Sequence, residues 1–210
     1  MSTYVCDLYS DTNTVGRRWR SLYFATVGAF AGFLAALTVV AADVVSARAL
    51  GYAPFMLLRY YATLHDGSGA LLMSDWSFFL GAFFMHLAVG SVFGAVFVVT
   101  VCGRELFEKL SHYLGAGALF GLAIWVVNFY LLFSWVQPLM NGRSYILENI
   151  PWWVAAGTHT LFGVTVALVS YAFRNDVGRM EHHGADRNSQ TLPSTSDVSA
   201  VYEGAKRGHT

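Results

Sequence analysis

Two histidines share one local pattern. Ala82, His86, Gly90 and Gly94 follow one another at intervals of four, and so do Ala155, His159, Gly163 and Ala167. Residues four apart fall on one helix face. Each A-x3-H-x3-G stretch therefore sets one imidazole in a stripe of small residues. Histidine changes charge near neutral pH, ligates metals and haem iron, and relays protons. Depth counted at the helical rise places His86 and Asn128 about 4–5 Å beyond the middle of their runs and His159 about 5 Å, all toward the same side. Thr38 comes out at about 7–8 Å on that side. These groups form one polar layer, and Thr158 and Thr160 flank His159.

The elements that must hold this layer are membrane helices. The 210 residues carry no formal net charge, are 55% hydrophobic and only 12% charged, with a mean hydropathy of +0.47. An ordinary soluble domain has about 25% charged residues. Four runs, 21–45, 77–101, 113–137 and 152–173, contain Asp43 as their one charged residue. About 20 apolar residues cross the hydrocarbon core, and only helices satisfy their own backbone polar groups there. The expectation is an all-α, four-span bundle in a lipid bilayer. The balanced charge argues against a nucleic-acid partner.

Spans 1 and 3 also share a pattern: Gly28-x3-Gly32-x3-Ala36 is matched by Gly117-x3-Gly121. Small residues four apart let helix backbones approach closely in lipid. With the histidine stripes of spans 2 and 4, this points to a two-helix hairpin duplicated in parallel.

Basic residues set the orientation. Arg17, Arg18, Arg20, Arg104, Lys109, Arg174, Arg179 and Arg187 flank one side, and Arg48, Arg59 and Arg143 the other. The positive-inside rule then puts both termini in the cytoplasm, in a membrane of bacterial inner-membrane type. Ala47-Arg48-Ala49 has the look of a signal-peptide cleavage site. The apolar run before it, however, is longer than the 7–15 residues of a signal-peptide core. Cys6 and Cys102 then lie on the reducing side, without metal-site spacing, and read as free thiols.

Residues 1–20 read as a cytoplasmic N-terminal tail, 21–174 as the membrane domain and 175–210 as a disordered cytoplasmic tail, since its polar composition builds no core. His182, His183 and His209 in that tail are weak metal-binding candidates. Residues 46–76 hold a short aromatic helix after Pro54, too short to span and suited to the interface. Residues 138–151 read as a loop broken by Pro138, Asn141-Gly142 and Pro151, followed by interfacial Trp152 and Trp153. Asp43 is expected near the outer interface, paired with Arg48 or Arg59.

Four functions compete for the layer. His86 and His159 could simply organise the bundle by hydrogen bonds to Asn128 or a threonine. They could be axial ligands of one b-type haem, with Gly90 and Gly163 leaving room for the porphyrin edge. In that respect the arrangement is similar to that of membrane b-type cytochromes, which ligate haem by histidines on non-adjacent helices. The similarity covers spans 2 and 4 alone, and it implies electron transfer, with Arg59 or Arg143 near the propionates. The same groups could line a transport or proton pathway. The glycine faces and aromatic content would also suit a homodimer or an accessory subunit of a larger membrane complex. Catalysis is not favoured: the chain has no Walker loop, no H-E-x-x-H and no G-x-S-x-G.

Overall fold

The computed structural model describes residues 14–101 and 109–173. The tail 175–210, Cys6, Cys102, Arg104 and most of residues 1–20 lie outside the described residues. Among the described residues every regular element is helical. Four helices are long and apolar enough to cross a membrane. They are α1 (Thr14–Ala49), α3 (Trp76–Val101), the composite of α4 (Leu110–Val127) with its continuation to Asn141, and α7 (Trp152–Phe173).

Span 4 begins and ends where the uncharged run does. Span 1 runs past its apolar stretch at both ends. Span 3 begins three residues before its run, at Leu110, and continues past Gln137. Their outward faces are strongly apolar. Leu80, Phe84, Val92 and Val96 on α3 are all exposed. A soluble protein does not tolerate such a surface, whereas lipid solvates it.

The helices pack in two pairs, α1 with α3 and α4 with α7, and the pairs join through α1 and α7. Spans 2 and 4 lie across the diagonal, and the side between α3 and α4 is only sparsely packed. Glycine builds both tight contacts. A Cβ on Gly32 would stand 2.2 Å from the Gly90 carbonyl oxygen and 3.0 Å from the Gly94 Cα. A Cβ on Gly117 would stand 2.3 Å from the Gly163 carbonyl oxygen and 2.6 Å from the Ala167 Cβ. Gly32 thus meets the Gly90/Gly94 pair as Gly117 meets Gly163/Ala167. The two hairpins pack in one register, as expected of a duplicated unit.

One apolar cluster fills the half of the bundle toward Val101 and Tyr113: Phe97, Val98, Val101, Tyr113, Phe162 and Val166 interlock there with Ala31 and Ala35. The opposite end is closed differently. Helix α2 (Met56–Asp66), a 3-10 turn (67–71), α5 (Gln137–Asn141) and α6 (Tyr145–Asn149) form a cap. The helix after Pro54 is therefore present, but it does more than lie at an interface. Leu57, Tyr60, Ala62 and Thr63 are buried against the bundle. Segment 138–151 is not a plain loop either, since it carries most of α5 and all of α6. Gly142, at φ 71°, ends α5 in the left-handed region that favours glycine.

Polar side chains rivet this cap. Gln137 is fully buried. Its Nε2 donates to Thr63 Oγ1 at 2.8 Å, and its Oε1 accepts from the Ile146 backbone N–H at 3.2 Å. Asn141 Nδ2 donates to the carbonyls of Thr63 and Leu64, which end α2. One amide joins three helices, and the next closes a helix terminus that would otherwise leave bare carbonyls.

Candidate functional site: a cavity between the hairpins

The sparse packing between α3 and α4 leaves a cavity of about 340 Å³ beneath α2. Most of its wall is apolar. His86, Asn128, His159, Thr158 and Tyr61 also line it. The wall repeats with the hairpins. With His86 aligned on His159 and Gly32 on Gly117, Val39 matches Ile124, Met85 matches Thr158 and Val89 matches Phe162. All six face the cavity.

His159 is fully engaged. Its Nδ1 lies 2.8 Å from the Ala155 carbonyl oxygen, four residues back. A carbonyl only accepts, so Nδ1 carries the hydrogen. Its Nε2 then accepts from Asn128 Nδ2 at 3.2 Å. The imidazole is held in one neutral tautomer by two partners. His86 is not held this way. It faces the Ala36 carbonyl on α1, while its Nε2 is buried without a hydrogen-bond partner.

Helix α4 gives way at Asn128 to a π-helical segment, Asn128–Val136, whose wider turns end with the Gln137 N–H bonded to Leu132 O. Nine residues of α-helix turn through about 900°, which would set Asn128 and Gln137 on opposite faces. The wider turns remove that offset. Asn128, Leu132 and Phe133 consequently all reach the cavity, while Gln137 stays buried against Thr63.

Tyr61 was not among the residues expected at the site. Pro54 and the aromatic run after it suggested an interfacial helix and gave no sign that one ring would turn into the bundle. Its ring stacks on His86, with centroids 6.5 Å apart and planes 19° apart. Burial holds its phenol well above the usual range, the nearby Asp43 carboxyl adds to this, and a hydrogen bond with Thr158 opposes it. Asp43 is buried, at 7% exposure, and its Oδ1 has no partner.

The expected pairing of Asp43 with an arginine is corrected: among the described residues no ion pair includes it. Arg59 instead donates to the Leu71 carbonyl and covers the Phe79 ring. Thr38 does not join the cavity; its hydroxyl donates to the Leu34 carbonyl within α1. Gly90 lines the cavity and Gly163 does not. The room expected beside Gly163 is filled by α4, whose Gly117 oxygen would sit 1.9 Å from a Cβ there. Among the described residues no group of three or more His, Cys, Asp or Glu could hold a metal.

No protein-family model matches the chain, and no curated protein or solved structure does either. The chain is a small all-α integral membrane protein with four candidate spans, and its function has to be argued from the cavity.

Proposed function

We propose that this protein binds a small, mainly apolar molecule taken from the bilayer, in the cavity between its two hairpins. The observation that carries the reading is the cavity itself: about 340 Å³, apolar over most of its wall, with His86, Asn128, His159, Thr158 and Tyr61 converging on it. Small-molecule sites have this character, an apolar chamber of about 300–1,000 Å³ with a few placed polar groups. The sparse side between α3 and α4 offers an entry from lipid. The positive-inside count supports cytoplasmic termini in an inner membrane, which would put the cavity in the outer half. The packed cluster around Phe97 closes the other half, so the geometry favours a receptor or one-sided binding step over an open channel.

The test is saturable binding of 1-naphthalenemethanol to the full-length protein in nanodiscs, followed by naphthalene fluorescence. Val89, half exposed on the cavity wall, is replaced by Trp to fill the space. One-to-one binding that Val89→Trp abolishes is the expected result. Partitioning into lipid with no saturable component would overturn the reading, and so would binding unchanged in the variant.

Haem is the second reading, because the unpartnered Nε2 of His86 could hold an iron. Bis-histidine ligation would require His159 to release Asn128, which lowers its standing. An absorption spectrum of protein expressed with haem available tests it. A Soret band lost in both His86→Ala and His159→Ala supports it, and a colourless folded protein refutes it.

A further inference from the structure

The polar hydrogens on the cavity wall are almost all committed to the protein. Thr158 donates to the Ala155 carbonyl at 3.2 Å, and His159 donates to the same oxygen through Nδ1 at 2.8 Å. A hydrogen bond joins Tyr61 to Thr158. With the threonine hydrogen already placed, the Tyr61 hydroxyl is the donor of that bond. An uncharged His86 has one N–H, and the Ala36 carbonyl that it faces can only accept. One hydrogen of the Asn128 amide goes to His159 Nε2. The second hydrogen of that amide is what remains.

An acceptor, by contrast, stands open. His159 fixes which way the Asn128 amide points: its Nε2 carries no hydrogen, so Nδ2 must face it and Oδ1 must turn away. Asn128 makes no other side-chain hydrogen bond. Among the described residues, the buried side-chain atoms without a partner are Asp43 Oδ1, His86 Nε2 and Trp125 Nε1. Asn128 Oδ1 also lacks a partner but is not one of these, so it is accessible, and its residue lines the cavity. The first hairpin does not repeat this. Asp43 lies eleven residues after Gly32, as Asn128 lies eleven after Gly117, yet Asp43 is buried and outside the cavity wall.

We infer that the cavity selects a lipophilic alcohol or phenol, a hydroxyl on a compact apolar body, whose O–H is donated to Asn128 Oδ1. This rests on the cavity being a ligand site and names the class of ligand. The run from the Ala155 carbonyl through the imidazole to the amide holds Oδ1 in place before a ligand enters, which lowers the cost of binding. A ketone, ester or ether could take only the spare amide hydrogen. It would also cover Oδ1 and leave that oxygen without a donor, which is costly. A hydroxyl answers both groups. An apolar cavity of about 150 Å³ accepts benzene, so one of about 340 Å³ accommodates two fused rings, with Phe93, Phe133 and Phe162 around them.

The test is displacement of 1-naphthalenemethanol from the full-length protein in nanodiscs by 1-tetralol or 1-tetralone. The two competitors share one bicyclic skeleton and carry a hydroxyl or a ketone. They therefore differ in the donated hydrogen and hardly in size. Each affinity is referred to the compound's concentration in the lipid. The wild type is expected to prefer 1-tetralol by about three- to tenfold, the scale of one hydrogen bond. In the double variant Asn128→Leu with His159→Leu the two should compete equally. Both residues are replaced because Asn128→Leu alone would free His159 Nε2 to accept the hydroxyl. His86→Leu, which leaves Asn128 in place, should keep the preference, and helical circular dichroism checks that each variant folds. Equal competition in the wild type, a preference that survives the double variant, or one lost in His86→Leu overturns the inference and leaves the cavity reading standing. Absence of saturable 1-naphthalenemethanol binding to the wild type overturns both.

Discussion

Replacing Gly163 by Ala tests the packing that builds the cavity. The added Cβ would lie 1.9 Å from the Gly117 carbonyl oxygen and 2.9 Å from the Gly121 nitrogen. Real Cβ contacts essentially never fall below 3.0 Å. Both atoms belong to the α4 backbone, so no side chain can swing aside, and α4 and α7 must part by about 1 Å. Parting thins the dispersion contacts along the whole pair, and in lipid those contacts are a main part of what holds helices together. Overpacking of this kind costs about 1–3 kcal/mol. Gly157 on the same helix is the control, because a Cβ there meets nothing within 4 Å. Gly157→Ala should be neutral or should stabilise by up to about 1 kcal/mol through helix propensity. The two variants should therefore separate by about 2 kcal/mol when unfolding is followed by helical circular dichroism during SDS titration of mixed micelles. In the first hairpin, Gly32→Ala against Gly81→Ala repeats the comparison, since Gly81 also faces open space. If Gly163→Ala and Gly157→Ala unfold together, the backbones do not approach this closely and the packing argument fails.

Three further outcomes follow from individual contacts. Asn128→Leu and His159→Leu should show a coupling of about 0.6 kcal/mol, at most about 1.7, in a double-mutant cycle; additive effects would mean that no bond joins them. Gln137→Leu strands the buried Ile146 N–H and takes a donor from the Thr63 hydroxyl, which keeps its own bond to the Tyr60 carbonyl, at a cost of about 1–3 kcal/mol. It should also speed hydrogen exchange across α2 while leaving the Phe97 end protected, and unchanged exchange in α2 would refute the rivet. Arg143→Ala removes an exposed pair with Glu148 and should shift stability by about 0–1 kcal/mol in the same unfolding assay, so a larger loss would show that the pair anchors α6.

Much of this architecture was legible because a membrane simplifies the code. Runs of 22 to 25 residues with Asp43 as their one charge have few alternatives to spanning, and the periods of glycine and histidine survive directly as helix faces. Depth counting brought Asn128 beside His159 for the same reason, since α4 keeps the α-helical rise as far as Val127. The failures have common physical causes. A glycine stripe reads equally as a groove for a cofactor or a seat for a backbone, and at Gly163 the backbone took it. Tyr61 and Gln137 were missed because their roles depend on how the cap folds back onto the bundle, a tertiary choice with no period. The π-helical segment leaves no compositional mark, yet it brings Asn128 and Gln137 inward together. Asp43 was given an arginine partner by proximity in sequence, whereas the chain turns Arg59 toward Leu71 and Phe79.

The divergence at Asp43 gives the last prediction its logic. An amide can donate, so Asn128 satisfies an imidazole lone pair and becomes a strut between α4 and α7. In the first hairpin the residue at that register is Asp43, and both its Oδ1 and His86 Nε2 are buried without a hydrogen-bond partner. Asp43→Asn should close that pair as Asn128 closes its own. The variant then gains a hydrogen bond worth about 0.6 kcal/mol on average in membrane proteins and loses the burden of a buried group without a partner. It should resist SDS unfolding better than the wild type. The reverse exchange, Asn128→Asp, should open the bond to His159 and lower stability. If Asp43→Asn instead lowers stability, the two positions are not equivalent and the reasoning fails.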